Sequence, residues 1–157
     1  MKYLAYGMAL TLMAALWPGD PASMRTTYTD TLTGSIAPPG SSSLSVEADA
    51  TGALPGKVVI SININRTTVT GGGWWLTVRE RNADGSISDV GALTGAISAG
   101  TVALNVDGSV ASLNSVTLTI QQGSGRYAAV TGGTGALDGT LNRQSSPSFT
   151  GTLSVNF

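Results

Sequence analysis

The sequence predicts an all-β fold: one antiparallel β-barrel of about eight strands, preceded by an N-terminal signal peptide. Three observations carry the prediction. Apolar residues recur with period two, Gly and Pro clusters separate the alternating runs, and charged residues make up only 11% of the 157-residue chain. That charged fraction is well below the roughly 25% of ordinary soluble domains, and exposed helix formers such as Glu and Lys are scarce.

The first element is the targeting segment. Met1-Lys2 supplies a positive start, Tyr3 to Trp17 is apolar, and Pro18-Gly19 breaks any helix ahead of Ala22 and Ser23. A basic start, an apolar core of about 7–15 residues and a small-residue exit describe a signal peptide, here over 1–23. Cleavage after Ser23 leaves Pro21 at the third position back, and cleavage after Ala22 leaves Asp20 there. The apolar stretch is shorter than the about 20 residues of a bilayer span, so the alternative of an uncleaved anchor is disfavoured. The expectation is export, to a secreted or periplasmic location, with no membrane span after processing. Residues 24–157 then form one domain, undivided by any linker. The chain has no Cys, so lipid attachment behind the apolar stretch and disulfides are both excluded. An exported protein without disulfides suggests a bacterial source.

The strands follow from the alternation. Val58, Ile60, Ile62 and Ile64 take one face, and Val59, Ser61, Asn63 and Asn65 the other. Trp74, Leu76 and Val78 oppose Trp75, Thr77, Arg79 and Arg81. Val116, Leu118 and Ile120 oppose Ser115, Thr117 and Thr119, and Phe149, Gly151, Leu153, Val155 and Phe157 alternate with polar residues. One dry face and one wet face mean antiparallel pairing. Candidate strands begin near Thr27, Ser43, Lys57, Trp74, Asp89, Thr101, Asn114, Arg126 and Phe149, with a further one near Ala136. Turns are marked by Pro38-Pro39-Gly40, Pro55-Gly56, Gly71-Gly72-Gly73, Asp84-Gly85, Asp107-Gly108, Gly123-Ser124-Gly125 and Gly132-Gly133. A sheet this extensive must hide its edges, and closure removes them, which favours a barrel over a sandwich.

The segment Gly123-Ser124-Gly125-Arg126-Tyr127-Ala128-Ala129-Val130, continuing through Gly132-Gly133 to Thr140, is followed by Phe149-Thr150-Gly151-Thr152-Leu153. It resembles the barrels of allene oxide cyclases and dirigent proteins, which share a G-x-G-x-[FY]-A pattern, a Gly-rich strand and a closing strand. Gly91 to Gly95 and Leu113 to Ile120 fit the same order. The resemblance implies an eight-stranded barrel with an apolar interior, often a trimer, acting on or holding a small apolar molecule. The families' acidic residues do not map onto this chain, so the resemblance supports a pocket and not a reaction.

Composition limits the chemistry. Without Cys or His, the Ser-His-Asp triad, the Cys nucleophile and thiolate or imidazole metal sites are excluded. No metal site and no cofactor are expected. Asp84-Gly85 and Asp107-Gly108 lack further carboxylates for calcium, and the Gly-rich C-terminal half lacks a phosphate loop's Lys and helix. Asn65-Arg66-Thr67 matters as a glycosylation sequon only in a eukaryotic secretory route. A net charge of −1 offers no basic face to nucleic acid.

The candidate catalytic residues are Glu80, Arg66 and Asp30. Glu80 continues the Trp74-Leu76-Val78 parity, so its side chain points inward near a mouth, where desolvation would fit it for acid–base work. The competing reading is a strand that has already left the core. Arg66 ends the Ile60-Ile62-Ile64 face and suits a carboxylate or enolate, against the reading of an exposed strand end. If 57–66 and 74–81 pair across a 67–73 loop, Arg66 falls near Trp74 and Glu80 near Ile60, at opposite ends. Asp30 shares a face with Tyr28, Leu32 and Ile36 and is a further inward carboxylate. The ligand-binding candidates are Trp74, Leu76, Ile62 and Tyr127, with Trp74 as pocket wall or core and Tyr127 at a mouth or filling core. Trp75 points the other way, to solvent, to a subunit contact or beneath the 71–73 glycines.

Three functions are compatible: a barrel binding a small apolar molecule, a cofactor-free cyclase or isomerase, and a structural or assembly module of the cell surface. The first two need an open interior, about 300 Å³ or more for a ligand, and the third a filled one. Ala92, Ala96, Ala128 and Gly151 are small inward candidates that suit either.

Overall fold

The computed structural model describes residues 25–36, 43–106, 109–144 and 146–157. The signal-peptide assignment over 1–23 and the turns at Pro38-Pro39-Gly40 and Asp107-Gly108 lie outside the described residues. The described residues form eight strands and no helix: β1 (Thr27–Ile36), β2 (Ser43–Gly52), β3 (Gly56–Asn65), β4 (Thr68–Arg81), β5 (Ile87–Leu104), β6 (Val110–Gly125), β7 (Gly133–Asn142) and β8 (Ser148–Asn156). Each strand pairs antiparallel with the next, and β1 pairs with β8, so the sheet closes into a barrel.

The inward parity is the one the alternation predicts. Val58, Ile60 and Ile62 are buried on β3, Trp74, Leu76 and Val78 on β4, Val116, Leu118 and Ile120 on β6, and Phe149, Leu153 and Val155 on β8. They join Leu32, Val46, Leu93, Leu113 and Leu137 in one core. Period two decides which side chains meet, because any one-residue slip would turn a whole row to water.

The strand boundaries differ where glycine was read as a turn. Gly71-Gly72-Gly73 lies inside β4, and the β3–β4 turn falls earlier, at Arg66 and Thr67. The register shifts between Asn63 and Ile64, which pair with Gly71 and Val69, so Thr70 is the extra residue of a bulge rather than part of a loop. Gly72 has φ of +145°, and a Cβ there would stand 2.0 Å from the Ser61 carbonyl oxygen, so only glycine fits. The strands expected near Asp89 and Thr101 are one, β5, and bulges near Ala99 bend it. Buried Ile97 and Val102 are five residues apart, and the bulges restore the inward parity between them. Leu113 and Val116 on β6 do the same around Ser115, whose φ is +52°.

Arg126 does not start a strand. Residues 126–129 form a turn, held by Tyr127 N–H to Ser124 O at 3.0 Å and Val130 N–H to Tyr127 O at 2.8 Å, and β7 begins at Gly133. Two of the small inward candidates change face. Leu76 pairs with Leu93 and Trp74 with Gly95, so the odd positions of β5 carry the inward parity there and Ala92 and Ala96 belong to the opposite face. Ala128 is exposed in the turn, and Gly151 keeps its inward place.

Candidate functional site

The up-and-down order brings the start of β1, the β2–β3, β4–β5 and β6–β7 turns and the end of β8 to one mouth. Asp30 sits just inside it. It pairs with Gly52 on β2 and Leu153 on β8 and is 1% exposed, the one buried charged residue among those described. Its Oδ1 accepts the Leu54 N–H at 2.8 Å, which anchors the β2–β3 turn, and Leu54 itself is buried. Its Oδ2 is buried and has no hydrogen-bond partner. Burial pushes the Asp30 pKa above the ordinary carboxylate value, and the Leu54 and Ala53 N–H groups pull against that rise.

Aromatic rings close this mouth. Tyr28, two residues before Asp30, stacks on Phe157 with ring centroids 4.8 Å apart, and Tyr127 meets Phe157 edge-on at 6.1 Å. Tyr127 and Val130 of the β6–β7 turn pack on the core. Burial raises the Tyr127 pKa; Arg126 opposes that rise, while Glu80, Tyr28 and Asp30 add to it through their charges. Glu80, half-buried at the end of β4, forms a two-pronged ion pair with Arg126, whose second prong, Nη2 to Oε2, spans 2.9 Å. That pair fastens the turn to β4 from the solvent side.

The predicted site residues therefore separate. Asp30, Glu80 and Tyr127 come together at one mouth. Arg66 is exposed in the β3–β4 turn at the other end with φ of +57°, so it shares no site with them. It is remote from Trp74 as well: Trp74 pairs with Ile60, because the hairpin turns at 66–67 and not across 67–73. Glu80 lies beyond the β3 partner Gly56, well past Ile60.

Ile62 and Leu76 have no accessible surface and Trp74 only 4%. A void wide enough for water beside these side chains would leave accessible surface on them, so here they pack against one another. The Trp74 indole crosses Gly95 on β5 and donates Nε1–H to the Thr119 carbonyl on β6 at 3.1 Å. A Cβ at Gly95 would stand 2.6 Å from that nitrogen, so the glycine makes the crossing possible. Trp75 is 55% exposed on the outer face beside Val59.

No family model, curated protein or solved structure matches this chain. The site is therefore argued from its own chemistry. Residue pattern alone put Asp30 on the inward face, but not its contact with Leu54, 24 residues away. The Glu80–Arg126 pair joins residues 46 apart, and nothing local in the sequence links them. The Tyr28–Phe157 stack needs the β1–β8 closure to exist.

Proposed function

We propose that the protein is an exported structural or assembly module of the cell surface, a barrel whose interior is used for packing. One observation carries the reading: inward side chains on every strand, from Leu32 and Val46 through Ile62, Leu76, Leu93 and Leu118 to Leu137 and Leu153, are at most 1% exposed. A ligand lying along the axis would have to displace them, at a cost in burial of roughly 1.5–3 kcal/mol for each large side chain. Export is supported by the Met1–Ser23 pattern, and a surface role by an outer face rich in Ser and Thr, with Trp75 and Val59 adjacent on it.

The test is direct. Mature protein titrated with 1-anilinonaphthalene-8-sulfonate gives no stoichiometric fluorescence enhancement, and the chain expressed with its first 23 residues fractionates with the cell surface. Saturable binding of one probe per barrel, lost on Ile62→Trp, would return the function to a hollow ligand-binding barrel with Trp74, Leu76 and Ile62 as its wall. The cyclase or isomerase reading needs an inward polar pair, and Asp30 with Tyr127 is the arrangement that favours it. It requires in addition an interior that opens to the substrate.

A further inference from the structure

A carboxylate buried among apolar groups normally has its remaining lone pairs satisfied, because the uncompensated group costs several kcal/mol. Asp30 departs from this. Oδ1 is committed to the β2–β3 turn, Oδ2 is buried and unpartnered, and among the described residues no cation pairs with it. Lys57 pairs with Glu47, Arg79 with Asp89 and Arg126 with Glu80. The rings around this mouth are Tyr28, Tyr127 and Phe157. An anionic oxygen beside aromatic rings is the surrounding that suits a cation carried on an apolar body, since ring faces attract positive charge and the carboxylate supplies a charge-assisted acceptor.

We propose that this mouth is a binding site for an organic ammonium ion, whose amine meets Asp30 Oδ2 and whose apolar body lies among Tyr28, Tyr127 and Phe157. The entry is the β6–β7 turn. Its fastening to β4 is the Arg126–Glu80 pair, which is 55% and 44% exposed, and exposed pairs hold weakly. Tyr127 meets Phe157, which stacks on Tyr28 two residues before Asp30, so in this proposal an outward swing of Tyr127 opens the aromatic side of the mouth towards Asp30. The site is therefore separate from the filled-barrel reading and does not need a hollow barrel.

The ionisable and charged groups at this mouth, each acting on Tyr127 of the β6–β7 turn, are Asp30 itself, Tyr28 on its strand, Glu80 on β4 and Arg126, and Asp30 meets the Leu54 and Ala53 N–H groups of the β2–β3 turn. Among the described residues β8 and the β2–β3 turn bring the non-titrating side chains of Leu153, Val155 and Leu54, and Phe157, after β8, brings a ring and the terminal carboxylate of this sequence. A neutral Asp30 must release its proton for an ammonium ion to pair with it. Binding therefore tightens as pH rises through the Asp30 titration.

The experiment is a titration of the mature protein with n-butylammonium chloride and, separately, 1-butanol, followed by calorimetry and by amide shifts near Asp30 and Tyr127. The expected result is saturable ammonium binding at least about tenfold tighter than the alcohol. It should be released on acidification, lost in Asp30→Asn and weakened in Tyr127→Leu. Asn at 30 keeps an acceptor for the Leu54 N–H, and circular dichroism confirms that the variant is folded. Should it unfold, Tyr127→Leu alone decides the matter. Equal binding of alcohol and ammonium, or ammonium binding unchanged in both variants, would overturn the proposal. So would the absence of binding, which would leave Asp30 as an anchor of the β2–β3 turn with a water on Oδ2.

Discussion

The two mouths of the barrel are built from the same strands and solve the same problem differently. At the mouth that holds the β3–β4 turn, the described inward residues are apolar to the ends of the strands: Ile36, Leu44, Val69, Val102, Ala111, Leu141 and Phe149 are all buried. Phe149 lies across the Gly139 and Gly151 positions, within 2.7 Å of where a Cβ at either would sit, so one large ring fills what two glycines leave. The other mouth has a buried carboxylate, three aromatic rings and an ion-paired turn. One end is sealed by hydrophobic burial alone, and the other holds a polar group at a cost to stability. Proteins retain such costs where the group orders a backbone segment or meets a ligand, and Asp30 is placed for both.

The sharpest way to break the comparison is to give the apolar half what the polar mouth already has. Ile62→Asp places a carboxylate at a position with no accessible surface, with no turn N–H to receive it, and the expected outcome is loss of folding in a denaturant titration. Survival of that variant would mean the inward faces are misassigned. Phe149→Ala comes next. It empties the ring from the sealed end and should cost about 3–5 kcal/mol in the same measurement.

Asp30→Asn tests the polar mouth through pH. Burial holds the folded Asp30 pKa above its unfolded value, so ionisation opposes folding. The penalty is absent below the ordinary aspartate range of about 3.9, grows as pH rises past it, and is complete once pH exceeds the raised folded value. Stability from this group therefore falls with rising pH across that window. The variant should lose that slope in unfolding curves taken at successive pH values, and a slope that persists would place its origin elsewhere. Arg126→Ala should leave the unfolding midpoint nearly unchanged, since the pair is exposed, while amide exchange in the 126–130 turn speeds up. The smallest effect is expected outside the barrel. Thr152→Asp lies on the outer face opposite Asp138, so folding is kept and repulsion costs at most about 1 kcal/mol.

The fold was legible because burial acts on every second residue. Val58-Ile60-Ile62 and Phe149 to Phe157 announce a face whatever their partners are. At the β3–β4 boundary the pattern misleads because of a bulge. Val69 and Trp74 are both buried five positions apart, so strict alternation fails across Gly71-Gly72-Gly73, and the glycines look like a loop. Arg126-Tyr127 has the look of a strand start, but Tyr127 reaches the core from a turn. The site was legible one residue at a time. Asp30 and Glu80 stand out by parity and Tyr127 by its place after a Gly-rich turn, yet only the strand order places them at one end and sends Arg66 to the other. Nothing local distinguishes Ile62 as wall from Ile62 as filling, because that depends on the volumes of side chains arriving from seven other strands.

The β1–β8 seam also fixes an order in time. Seven of the eight pairings join neighbours in sequence and can form as hairpins, each with a short closure. The seam joins residues such as Thr29 and Ser154, which are 125 positions apart. Closing a loop of that length costs about 2 kcal/mol more chain entropy than closing one of about ten residues. The sheet must therefore be largely assembled before β8 finds β1, and until then both strands are open edges able to pair with another chain. Tyr28, Asp30 and Phe157 all lie on those two edges or at their ends, so the aromatic mouth is the last part of the molecule to come into being. The interval before closure is when two copies can exchange strands, and slow refolding at high protein concentration is where such exchanged dimers will accumulate.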